Sequence, residues 1–113
     1  MEKKMKKYLM SAIALMALGT TVQAACTAKA CHDKVERLFI TANGNVYVAT
    51  SGDESKLGCT LAYGMYMKLS VSSPAQKSMY SALLTAQTTG TKALIRIVDN
   101  DPACEIQYVT IDK

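Results

Sequence analysis

Tryptophan is absent from the 113 residues, and phenylalanine and histidine occur once each, as Phe39 and His32. A single histidine leaves a Ser-His-Asp constellation dependent on His32 alone, with no residue in the sequence visibly orienting it. No glycine-rich loop of the phosphate-cradling type is present. Acids cluster only as Asp53-Glu54 and Asp99-Asn100-Asp101, both in turn-like segments. Such positions read as solvated turn residues, and the second lacks the ligand spacing and bidentate Glu of a calcium loop. No catalytic residue, metal ligand or cofactor is therefore expected, and the reading is of a protein that is not an enzyme.

Strong charge is missing as well. The formal net charge is +4, but Lys3, Lys4, Lys6, Lys7 and Glu2 all lie in the first 24 residues. Setting these aside leaves nine basic and eight acidic residues. A near-neutral domain makes no electrostatic case for nucleic acid or for an anionic membrane surface.

The segment that holds those lysines has its own logic. A basic stretch, Met1 to Lys7, precedes an apolar run from Tyr8 to Leu18 and the small-residue pattern Val22-Gln23-Ala24. This is the layout of a signal peptide over residues 1–24, cleaved after Ala24. The apolar run falls short of the roughly 20 residues that a span requires, and no second long run follows. The expectation is a single exported domain over 25–113, periplasmic or secreted, with no membrane span. Lipidation of Cys26 is the rival ending. It would want an aliphatic residue where Gln23 stands and would leave three thiols.

What remains reads as mainly β with one helix. Lys34 to Thr41 and Val46 to Thr50 are strand-like and flank Asn43-Gly44-Asn45, a strong hairpin signal. Ser51 to Gly58 is loop-like. From Cys59 to Val71 every odd position is apolar or aromatic, which predicts one long half-buried strand with a bend at Gly64. Ser73, Pro74 and Gln76 form a capping box with proline in the first turn. Met79, Leu83 and Ala86 then follow helical spacing up to a C-terminal Gly90. Lys92 to Asp99 and Glu105 to Asp112 are the last strands, separated by a turn containing Pro102. The order β-β-β-α-β-β, with the helix between the third and fourth strands, predicts an OB-like five-stranded barrel, with an open α+β sheet as the competitor.

Four cysteines in a small exported domain predict two disulfides. In an OB plan the third and fifth strands run side by side and parallel. Cys59 at the start of one and Cys104 before the other would then be bridged, leaving Cys26 and Cys31 to close a short loop. A swapped pairing stays open, since Cys31 lies near the same end. The stretch Cys26 to His32, CTAKACH, resembles a longer-spaced haem attachment motif. With no second His to support haem, it reads as a disulfide beside an exposed histidine.

Binding is the better functional class. OB barrels bind through the second and third strands and adjoining loops. Here that surface offers Tyr47, Tyr66, Lys68 and Lys56. Such rings stack on bases or sugars, or pack against a protein. Export and the acidic turn at Asp99 and Asp101 oppose nucleic acid, leaving a protein or a glycan as the partner, with homo-oligomer formation open.

The segments KVERLFI, NGNVYV, LGC, KSMYSALLTAQTTG, ALIRIVD and CEIQYVTI together resemble uncharacterised small exported bacterial proteins with an OB-like barrel. More distantly, the β-β-β-α-β-β plan with a disulfide is similar to the receptor-binding subunits of five-subunit bacterial toxins. That resemblance implies a ring-forming, glycan-binding subunit, and no glycan motif matches residue by residue. A cell-envelope inhibitor or immunity-type protein is the other rival to a general exported binding module.

Overall fold

The computed structural model describes residues Ala24 to Asp112. The expected signal peptide therefore lies outside the described residues, apart from Ala24. Along the chain come β1 (Ala30–Ile40), β2 (Asn45–Thr50), a 3-10 helix (Glu54–Lys56), β3 (Met67–Ser70), α1 (Pro74–Thr89), β4 (Lys92–Ile97) and β5 (Ile106–Ile111). The strands form one five-stranded sheet in the order β3-β2-β1-β4-β5, and every ladder is antiparallel.

β1 is the organising strand because it serves two ladders. Its first five residues, Ala30 to Lys34, pair with β4, and its second half, Val35 to Ile40, pairs with β2. The change of partner coincides with a bulge between Val35 and Arg37. A bulge adds one residue to one strand and so reverses the alternation of faces beyond it. Val35 is buried before it, and Leu38 packs on the core after it. Arg37 and Phe39, which share the odd parity of Val35, are thereby turned to the outer face.

The predicted barrel closure is corrected. β3 and β5 stand at opposite edges of the sheet and meet at a single parallel bridge, Lys68 with Glu105. The Lys68 N–H donates to the Cys104 carbonyl at 3.0 Å, and the Ser70 N–H donates to the Glu105 carboxylate at 2.9 Å. No ladder forms there, and beyond that one bridge β3 pairs with β2 alone. The long strand expected over Cys59 to Val71 is corrected with it. Tyr63 (φ 52°) and Gly64 (φ 76°) take left-handed backbone and reverse the chain, so that the Ala62 and Tyr66 backbones bond to each other. A turn ends an alternating pattern however regular the pattern is. Met67 and Leu69 enter the core as their spacing implies, whereas Tyr63 and Met65 are exposed.

Helix α1 follows from local chemistry. The Ser73 hydroxyl accepts from the Gln76 N–H at 3.2 Å, and the Gln76 side chain accepts from the Ser73 N–H at 3.1 Å. Such a cap is worth about 1 kcal/mol. Gly90 takes the left-handed C-cap at φ 69°. Leu83 and Ala86 are fully buried and Met79 partly so, against β1 and β5. Val46 and Val48 of β2 and Ala93, Ile95 and Ile97 of β4 supply much of the facing core. Burying Leu83 alone contributes about 2 kcal/mol.

Both cysteine pairs are bonded, Cys26 with Cys31 and Cys59 with Cys104. The second spans 45 residues and ties the loop before β3 to the residue preceding the Glu105 bridge. Two disulfides belong with an oxidising compartment. Among the described residues no helix is long and apolar enough to cross a membrane.

Candidate functional site

The outer face of β1, β2 and β3 carries a cluster of four rings. Phe39 of β1 stands opposite Tyr47 of β2, and Tyr47 stands opposite Lys68 of β3. Tyr66 precedes Lys68 by two residues and shares its face. Tyr63 reaches the cluster from the reversed turn. All six ring pairs have centroids between 5.3 Å (Tyr47–Tyr63) and 6.5 Å (Tyr63–Tyr66). Pairs at such separations contribute about 0.5–1.5 kcal/mol beyond their area.

Burial divides the four into floor and rim. Tyr47 and Tyr66 are only 8% and 7% exposed although they lie on the outside of the sheet, because the other rings cover them. Phe39 is 40% and Tyr63 70% exposed. Left-handed backbone at a residue as bulky as Tyr63 is an outlier that costs of order 1–3 kcal/mol. Here it sets a ring edge-on to Tyr47 at 72°.

Two cations flank the rings. The Arg37 guanidinium donates to the Tyr66 hydroxyl at 3.2 Å, and this bond raises Arg37 above its ordinary value. Lys68 is half-buried and forms no ion pair among the described residues. Two carboxylates stand near these cations in sequence or in pairing. Glu36 accepts from the Ser51 hydroxyl at 2.7 Å, and Glu105 is held by Ser70. The face is therefore aromatic and carries Arg37 and Lys68, with Glu105 beside Lys68 across the parallel bridge.

The structure brings together three of the four residues expected to bind. Tyr47, Tyr66 and Lys68 converge, while Lys56 sits exposed on the 3-10 helix and makes no hydrogen bond to the cluster. Phe39, Tyr63 and Arg37 complete the site and were not expected there. Their pointers in the sequence were weak. The bulge re-aims Arg37 and Phe39, and the alternation from Cys59 to Val71 places Tyr63 on a strand face that the turn abolishes.

His32 lies elsewhere, on β1, lining an open cleft of about 300 Å³ with Thr91, Lys92 and Asp112. Among the described residues its imidazole makes no hydrogen bond. Among the same residues no group of three or more His, Cys, Asp or Glu side chains could hold a metal ion. Comparison with protein-family models, curated proteins and solved structures finds no match.

Proposed function

We infer that this protein is an exported, non-catalytic binding module, and that its binding surface is the aromatic face of β1–β3. The observation that carries the reading is the exposure of Phe39 and Tyr63 over a floor of two buried tyrosines. Rings that only completed a core would be covered, and a strained backbone at the most exposed of them has no packing benefit that a glycine would not serve better. The basic, apolar and small-residue segments of 1–24 support export, and the two disulfides support a periplasmic or extracellular destination. The antiparallel five-stranded sheet presents that face on the β1–β2–β3 side.

The test is direct. The mature protein, expected to begin at Ala25, is screened against displayed peptides and arrayed glycans beside its Phe39→Ala and Tyr63→Ala variants. Ligands that bind the parent and lose about tenfold or more on both variants support the face. Ligands indifferent to both variants would overturn it. His32→Ala should leave binding unchanged.

A further inference from the structure

We propose that the aromatic face docks a protein partner through an apolar segment flanked by carboxylates. The proposal rests on the binding-module reading and names the partner class for that surface. Three observations separate a protein from a sugar or a base. The first is the mutual tilt of the rings. The two exposed ones, Phe39 and Tyr63, have centroids 6.2 Å apart and meet at 57°. A planar base or the flat face of a pyranose would stack on one and leave the other in water. An irregular side chain such as Leu, Met or Phe touches both. The second is composition. Tyr, Phe and Arg around a desolvated floor are the residue types that dominate protein–protein hot spots.

The third observation is charge. Arg37 spends one N–H on Tyr66, and a guanidinium has five. The remaining donors are free to grip a carboxylate in the two-pronged manner that Arg favours. Lys68 adds a second cation on the same face. No outward side chain of β1–β3 within the cluster is acidic, while Glu105, beyond β3, stands across the parallel bridge from Lys68 with its carboxylate held by Ser70. A basic partner would meet the Arg37 charge, which forms no ion pair among the described residues, and an acidic one would neutralise it.

The experiment uses a displayed library of random linear peptides, selected on the disulfide-intact mature protein. Enriched peptides should place Asp or Glu beside Leu, Met or Phe. Their binding should weaken as salt rises, fall about tenfold or more in Tyr63→Ala, and lose its preference for acidic flanks in the Arg37→Gln/Lys68→Gln double variant. Tyr63 is largely exposed, so its variant is expected to stay folded, and circular dichroism with intact disulfides verifies this. Equal enrichment of basic and acidic flanks would overturn the proposal. Tyr63-dependent binding of arrayed sugars without peptide binding would overturn the partner class and leave the face standing. Self-association abolished by Tyr63→Ala would assign the face to a second copy and overturn it equally. The absence of any Tyr63-dependent ligand would remove both this proposal and the binding-module reading.

Discussion

Arg37 and Tyr66 are 29 residues apart in sequence and are joined by one hydrogen bond from guanidinium to phenol, at 3.2 Å. The bond crosses from β1 to the residue just before β3, passing over β2, so it fixes the cation at the border of the ring cluster. Tyr66 is buried and Arg37 is exposed, which makes the phenol the anchor and the guanidinium the part on display.

Removing the phenol oxygen alone tests this division. Tyr66→Phe keeps the ring contacts and frees Arg37. A part-buried hydrogen bond of this kind contributes about 1 kcal/mol, so the melting temperature should drop by a few degrees. Thermal denaturation followed by circular dichroism measures it. A drop as large as that of a core truncation would show that the ring, rather than its hydroxyl, had been disturbed.

The two disulfides should differ in weight. On the chain-entropy account, closing a loop of 45 residues stabilises by about 4 kcal/mol and closing one of five by about 2 kcal/mol. The pair Cys59→Ala/Cys104→Ala should therefore lower the denaturant midpoint more than Cys26→Ala/Cys31→Ala. Equal midpoints would mean that the fully buried Cys31 contributes more through packing than through its bond.

Leu83 is fully buried on the sheet-facing side of α1. Leu83→Asp places a carboxylate there without a partner, and an unpaired buried charge exceeds what so small a core can absorb. Loss of the cooperative unfolding transition is the expected result. A cooperative transition near the parent midpoint would show that α1 is peripheral to stability.

Asp53 caps the 3-10 helix, accepting from the Ser55 hydroxyl at 2.5 Å and from the Ser55 N–H at 3.1 Å. The hydroxyl bond first and the backbone bond second hold its carboxyl below the ordinary value of 3.8. The sign follows: the carboxylate's contribution is full above the unfolded value and is lost as pH falls through the lower folded one. Asp53→Asn should thus be slightly less stable than the parent at neutral pH, and the gap should close below about pH 4. Denaturant midpoints taken across that range decide it. A gap that widens in acid would reverse the assignment.

The parts of the fold legible in the sequence are those written in adjacent residues. Ser73, Pro74, Gln76 and Gly90 specify the helix ends through contacts three residues long, and they were readable to the residue. Tyr47 and Lys68 were readable because each lies on a strand with plain alternation. The Cys59–Cys104 pairing is as expected although its premise is not: β3 and β5 lie at opposite edges of the sheet, and Cys59 stands well before β3 instead of opening it. Phe39 and Arg37 were lost at the bulge, where one inserted residue inverts a parity that the composition of KVERLFI does not disclose. Tyr63 was lost because an alternating pattern runs straight through a turn.

The double service of β1 has a consequence for the order of assembly. Its second half can pair with β2 as soon as a few more residues are made, across the short Thr41–Gly44 loop. Its first five residues have no strand ladder until β4 exists, on the far side of the whole helix. Non-local pairing of that kind is slow because a large loop must close before any contact rewards it. A chain emerging N-terminus first would hold Ala30 to Lys34 as a waiting edge, with the Cys26–Cys31 loop folded back beside it and Ser51 bonded to the Lys34 carbonyl at its end. Pulsed hydrogen exchange during refolding should find the amides of the β1–β2 hairpin protected first and those of the β1–β4 ladder last.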